Sequence, residues 1–216
     1  MHDDPDHSRP QHASLPGIPG QPGPATAGAA DAMAWPEIAR WRKAERERLI
    51  AARLAIPADA RATMSSAIAA QLDAIVGDVS NRTVSLYWPF RGEPDLRPWM
   101  ASLVARGGMP ALPVVIEKAR PLVFRPYRPG DRLEKGVWNI PIPAEGDPVI
   151  PDIVIAPLVG VDPKNYRLGY GGGFFDRTLA SLPGKPLVIG IGYEMQRIPT
   201  IHPQPHDISM DQIVTV

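Results

Sequence analysis

The stretch Arg167–Arg177, RLGYGGGFFDR, combines residue types that can hold a phosphate group. Four of its eleven residues are glycine: Gly169, Gly171, Gly172 and Gly173. Glycine takes positive φ without steric cost, so a backbone of this kind can bring its N–H groups close to an anion. Arg167 and Arg177 set a guanidinium at each end of the segment, suited to phosphate oxygens. Asp176 adds a carboxylate where a nucleotide's magnesium would need one. A β-rich run, Ile153–Val161, precedes the segment, and an apolar, helix-compatible run, Phe174–Leu182, follows it. A helix starting there contributes its unpaired N–H groups and the positive end of its dipole. Two known phosphate signatures are excluded. No Lys-Ser or Lys-Thr follows the glycines, as a Walker loop requires, and the dinucleotide fingerprint needs glycine where Phe174 stands. A tight strand-to-helix turn, with glycines for packing alone, is the competing reading, and the pattern leaves both open.

These residues must be positioned by the elements around them. Pro36 suits the first turn of a helix over residues 36–55, and Pro57 closes it. Trp41, Ala44, Leu49 and Ala52 fall near one face, and Arg42, Lys43, Arg46, Arg48 and Arg53 crowd the rest. Such a charge run reads mostly as a solvated face. A second amphipathic helix spans Ala58–Val76 through Met64, Ile68, Leu72 and Ile75. Strands are predicted at Thr83–Trp88, Ala111–Ile116, Leu122–Tyr127, Asp152–Leu158, Pro186–Gly192 and Gln212–Val216, with a helix at about Leu96–Ala105. The continuous apolar run of Asp152–Leu158 is that of a strand inside a parallel sheet. Residues 130–148 read as loop, being rich in Pro and Gly. Strands alternating with helices predict an α/β protein: a three-layer α/β/α open, mostly parallel sheet with its site at the strands' carboxyl ends.

Composition narrows the function classes. Residues 1–34 are rich in Pro, Gly, His and Ala without apolar periodicity, so a solvated tail is expected there, followed by one domain over 35–216. Three of the five histidines (His2, His7, His12) lie in that tail at spacings matching no metal-ligand set. The formal charge is zero. Only Arg9 among the basic residues, but four of the acids, lies before residue 36, which leaves the remainder mildly basic. That balance suits a small anionic ligand and argues against duplex nucleic acid. The chain has no cysteine, which excludes disulfides and thiolate chemistry and fits a reducing compartment. No run of 18 apolar residues and no signal-peptide core occur, so no membrane span is expected and a cytoplasmic monomer is the expectation.

RLGYGGGFFDRTL, preceded by IAPLVGVD and followed by IGIGYEMQ, PHD and DQIVT, resembles the 5-formyltetrahydrofolate cyclo-ligase (5,10-methenyltetrahydrofolate synthetase) family over about residues 40–216. The family's fold is similar to that of ribose-phosphate isomerase and CoA-transferase domains. The resemblance implies an ATP- and Mg²⁺-dependent enzyme acting on a reduced formyl-folate. It implies nucleotide contacts from Arg42 and Arg46 and from the run Arg167, Leu168, Gly169, Tyr170, Gly171, Gly172, Gly173, Phe174 and Phe175. Asp176 and Arg177 would be the catalytic residues. Asp176 and Asp207 would hold the metal, and Glu93 would contact the folate, with Tyr87 and Phe90 offering an apolar wall. Four positions depart from the family pattern: Arg42 replaces Lys, Ile142 replaces Glu, Asn165 replaces Gly and the chain ends at Val216 in place of Glu. Asn tolerates left-handed φ, so the turn at 165 is expected to survive. Two other readings keep the fold: a non-catalytic folate- or nucleotide-binding paralogue, and a sugar-phosphate isomerase or CoA-transferase relative with Glu93 as its nucleophile.

Overall fold

Five short strands run parallel through the middle of the molecule, and the central one, IVIAP at Ile153–Pro157, is apolar and buried on both faces. In the computed structural model, which describes residues 33–216, the elements follow in the order Trp35–Ala55 (α1), Ala58–Val76 (α2), Thr83–Ser85 (β1), Arg97–Ala105 (α3), Met109–Val114 (β2), Val123–Pro126 (β3), Leu133–Lys135 (β4), Pro141–Pro143 (β5), Ile153–Pro157 (β6), Gly160–Val161 (β7), Arg167–Leu168 (β8), Phe174–Ser181 (α4), Leu187–Gly192 (β9) and Gln212–Thr215 (β10). The main sheet has the order β10-β9-β6-β1-β2-β3. All neighbours are parallel except β3, which pairs antiparallel with β2 at the edge. Residues Ala34–Val216 pack as one unit. Of the expected tail only residues 33 and 34 are described, and His2, His7 and His12 lie outside the described residues.

The period-two alternation of the strands decides which helix covers which face. Ile153 and Ile155 of β6 point, with Val84, Ile189 and Ile191, at Ile68 and Leu72 of α2 and at Trp99, Met100 and Leu103 of α3. Val154 and Ala156 point the other way, with Val188, toward Phe175 and Leu179 of α4. The sheet is therefore sandwiched between helices, as the expected three-layer α/β fold requires. α1 packs at the end of the sheet, where Leu49 meets Val159, Leu168, Ile198 and Ile201.

Three expectations are corrected. The ladder of the first strand stops at Ser85. Leu86–Trp88 continue as non-strand backbone, with Leu86 still donating to the Ala111 carbonyl at 2.9 Å. The loop at 130–148 contains the β4–β5 ribbon, whose register pairs Glu134 with Ile142. The basic side of α1 is not simply solvated: Arg42 and Arg53 are buried beside Ile38 and Leu49, while Ala44 is exposed. The Asn165 turn forms as expected, with φ at 64°.

Two connections leave the sheet at the carboxyl ends of its central strands, β1 and β6. β1 lies between β2 on one side and β6 on the other, so the sheet's strand order reverses direction there. The segment after β1 and the segment from β6 to α4 flank that point, where open α/β sheets leave a crevice.

Candidate active site

The crevice is a cleft of about 630 Å³, and every residue nominated from the sequence lines it. Its polar end is built on the glycine segment. Gly171 has φ at 93°, and a side chain there would sit 3.3 Å from the Arg46 guanidinium carbon. Gly173, at φ 61° and ψ 17°, is the left-handed residue from which α4 starts. Both conformations are costly for a residue with a Cβ. Arg46 reaches across from α1 and donates Nε–H to the Gly169 carbonyl at 2.7 Å. Burial, and then the neighbouring Arg42, hold its affinity for a proton below the ordinary arginine value. Arg167 is 8% exposed and lies over the Phe175 ring, 4.8 Å from its centroid. Among the described residues its only carboxylate contact is a long one, 3.5 Å to Asp176, and its Nε has no partner. Desolvation lowers its proton affinity too. Arg177 donates to the Gly172 carbonyl and covers Phe174. Among the described residues Arg46 and Arg177 donate to backbone carbonyls and Arg167 has only a long carboxylate contact, so the charge of these guanidiniums is poorly compensated, a cost that a bound anion relieves. Leu168 contributes least: its side chain belongs to the α1 core, 1% exposed.

The two nominated metal carboxylates stand together but differently engaged. Asp176 accepts the Ile208 N–H at 3.2 Å through one oxygen, and among the described residues its other oxygen has only the long Arg167 contact. Asp207 is gripped by Arg42, which also donates to the Ile201 and His202 carbonyls at 2.9 Å each. The Gln204 N–H adds a bond at 2.7 Å. Burial would raise the Asp207 carboxyl, yet the Arg42 and Gln204 bonds outweigh it and leave it below its ordinary value. Among the described residues no three His, Cys, Asp or Glu side chains converge on a metal position. A hard cation that takes most of its oxygens from phosphates and water needs only one or two carboxylates. The donor set fits such an ion, with Asp176 the freer ligand. His206 and Asp207 form no catalytic dyad: the closest approach is 3.9 Å and His206 is exposed.

The apolar end begins after β1. Glu93, 6% exposed, accepts from the Phe90 N–H through Oε2 and from the Tyr170 hydroxyl through Oε1, both at 2.9 Å. Burial raises its carboxyl to about 7 against the pull of Arg53 and these bonds. Tyr87 lines the wall while its hydroxyl donates to the Pro94 carbonyl at 2.8 Å. Phe90 and Tyr170 are 5.8 Å apart. Trp138 joins them, its ring parallel to Phe90 within 9° at 6.2 Å. Trp138 was not nominated from the sequence, and neither were Val137 and Ile140, which line the cleft with Ile142, a position where the resemblance marks a departure. A tryptophan between Pro-rich turns carries no periodic signal; only its exposure, 55% on a residue with φ at 57°, marks it. Gln196, buried, donates to the Leu158 and Val159 carbonyls, a scaffold role.

One cleft thus joins an anion-seeking end to a flat aromatic end with a buried acid, and Tyr170 belongs to both. The comparisons with known proteins point the same way. A 5,10-methenyltetrahydrofolate synthetase from Aquifex aeolicus superposes with a TM-score of 0.70 at 26% identity, covering 81% of this chain and 89% of that one. The Mycoplasma pneumoniae synthetase matches in fold, with a TM-score of 0.66 at 24% identity over 80% of this chain and 96% of that one. The 5-formyltetrahydrofolate cyclo-ligase of Mycolicibacterium smegmatis is 31% identical over 181 residues, which is 79% of this chain and 91% of the relative. These names do not favour the isomerase, transferase or non-catalytic readings. Residues 38–216 match the model of one family, and the chain that builds this two-ended cleft belongs to it, the 5-formyltetrahydrofolate cyclo-ligase family.

Proposed function

We propose that the chain catalyses the ATP-dependent cyclisation of 5-formyltetrahydrofolate to 5,10-methenyltetrahydrofolate, with release of ADP and phosphate. The observation that carries this reading, beside the family, is the continuity of the cleft: Glu93 of the apolar end and the glycine segment of the polar end meet through a single 2.9 Å hydrogen bond. The formyl oxygen is a poor leaving group. Its attack on the γ-phosphorus forms an O–P bond while the bond to ADP breaks. The second folate nitrogen then adds to the formyl carbon, the C–O bond breaks, phosphate departs and the nitrogen gives up its proton. Chemistry of this kind is accelerated mainly by positioning and by neutralising charge.

The residues divide that work. The backbone of Gly169–Gly173 cradles phosphate oxygens, with Arg42, Arg46, Arg167 and Arg177 around it. Arg177 and Asp176 stand at the transferring group. Phe174 and Phe175 shape the cradle's floor, with Leu168 backing it from the core. Asp176, with Asp207 beside it, would hold Mg²⁺, which supplies neutralisation of the phosphate oxygens when bound. Glu93 accepts N–H donors of the folate's flat ring, and Tyr87 and Phe90 cover that ring and exclude water. We assign this activity to residues 35–216, acting as a monomer in the cytoplasm. Among the described residues no helix is long and apolar enough to cross a membrane.

The test is spectrophotometric. Methenyl absorbance should grow from 5-formyltetrahydrofolate only when ATP and Mg²⁺ are both present. Turnover undiminished by EDTA would remove Asp176 and Asp207 from the metal, and product formed without ATP would end the phosphoryl-transfer scheme. Asp176→Asn should lower kcat by about 100-fold or more, the scale of losing one preorganised charge at a transferring group.

A further inference from the structure

Arg53 sits near the end of α1 and is wholly buried, yet its bonds go to neutral acceptors. Nε donates to the Arg91 carbonyl at 2.9 Å, Nη1 to the Leu158 carbonyl at 3.0 Å and Nη2 to the Tyr170 hydroxyl at 2.5 Å. Those acceptors belong to the segment after β1, the end of β6 and the glycine segment. One side chain therefore pins together the three segments that form the cleft.

The bond to Tyr170 also has a direction. A guanidinium only donates, and a tyrosine hydroxyl has one proton. With its oxygen accepting from Arg53, Tyr170 turns that proton to Glu93 Oε1 at 2.9 Å, since the alternative acceptor, the Phe90 carbonyl, is 3.4 Å away. Glu93 Oε2 already accepts the Phe90 N–H. Both carboxylate oxygens are thereby served by donors. We propose that Arg53 and Tyr170 are positioning residues for the folate end of the site: acting through the Tyr170 hydroxyl, Arg53 fixes Glu93 as a hydrogen-bond acceptor facing the substrate's N–H groups. The inference rests on the proposed role of Glu93 as the acid that meets the substrate.

The charges around Glu93 give the proposal its readout. Arg53 faces it from α1, Tyr170 and Arg167 from the glycine segment, and Tyr87 and Tyr193 from beyond β1 and β9. Burial brings the acid to about 7, and Arg53 heads the influences that hold it from rising further. Without Arg53 the acid stays protonated to higher pH, and a protonated carboxyl presents a donor where the substrate needs an acceptor.

Equilibrium binding of 5-formyltetrahydrofolate, followed by quenching of tryptophan fluorescence without ATP, separates the outcomes. With the full chain, affinity should rise with pH through about 7. Glu93→Gln should bind weakly at every pH and lose that dependence. Arg53→Gln should move the midpoint up by about one pH unit, a change of the size one removed neighbouring charge produces. Tyr170→Phe should move it up by less, and Arg53→Lys should fall between wild type and Arg53→Gln. A residue that served only the scaffold would weaken binding equally at all pH values, so an unmoved midpoint overturns the proposal. Should Arg53→Gln fail to fold, Tyr170→Phe decides alone, since it deletes one oxygen from a half-buried ring. If Glu93→Gln keeps wild-type affinity and pH dependence, the fault lies in the role of Glu93 itself, and the positioning proposal falls with it.

Discussion

Glu93 shows how a binding residue can be held at the expense of stability. An ordinary glutamate loses its proton near 4.5, and here burial raises the carboxyl to about 7. Between those pH values the folded chain keeps a proton that the unfolded chain has released. Stability therefore falls as pH rises through this window, and the full cost applies above about 7. The shift corresponds to a cost on the order of 3 kcal/mol. Glu93→Gln carries no such titration, so its stability relative to wild type should grow between pH 5 and pH 8, then level off. Urea denaturation of both proteins across that range reads the difference. Parallel curves would mean that Glu93 ionises in the fold as it does in solution. The same residue was legible in the sequence only through the family resemblance, because a loop glutamate carries no mark of its burial. Arg53 was less legible still. On a helix with five other basic residues it reads as solvated, and its acceptors lie 38, 105 and 117 residues away.

The glycine segment was the most legible element, since its chemistry is dictated locally: positive φ needs glycine, and a helix must start somewhere. Strand, glycine turn and helix all stand where the pattern set them, apart from the small β7–β8 ribbon, whose pairing of Gly160 with Leu168 depends on a register no local signal fixes. The β4–β5 ribbon escaped for a related reason, prolines at both ends of β5 masking a strand. Within the glycine segment, Gly173 and a distant glycine separate strain from function. Gly173→Ala places a Cβ in left-handed backbone, 2.8 Å from Arg177 Nη1, so the guanidinium must shift. Gly184 has φ at 85° with nothing within 4 Å of an added Cβ. Each alanine should cost about 1–2 kcal/mol of stability through backbone strain. Only Gly173→Ala should also raise the KM for ATP, by about tenfold, in steady-state assays at saturating folate. Equal KM values for the two variants would show that Arg177 does not touch the nucleotide.

At the scale of the whole molecule, the polar end of the cleft draws on parts of the chain that are far apart in sequence. Arg42 and Arg46 come from α1, Arg167–Arg177 from the segment between β6 and α4, and Asp207 from the turn before β10. In the free protein α1 is tied to that turn by the Arg42–Asp207 pair and to the glycine segment by the Arg46 bond to the Gly169 carbonyl. A nucleotide that engages all three parts adds bonds that exist only when the domain is folded. Binding of this kind must raise the unfolding free energy by mass action, about 2.7 kcal/mol at a ligand concentration of 100 Kd. For a folded region of this length each kcal/mol moves Tm by about 2–4 °C. A non-hydrolysable ATP analogue with Mg²⁺ should therefore raise Tm by about 5–10 °C in differential scanning fluorimetry. Arg46→Ala should lose most of that rise while its ligand-free Tm changes little, because Arg46 is only partly buried and, among the described residues, makes one hydrogen bond, to a loop carbonyl. A nucleotide that bound elsewhere on the molecule could also stabilise it, but its effect would be indifferent to Arg46. The variant, more than the size of the shift, is what locates the triphosphate between α1 and the glycine segment.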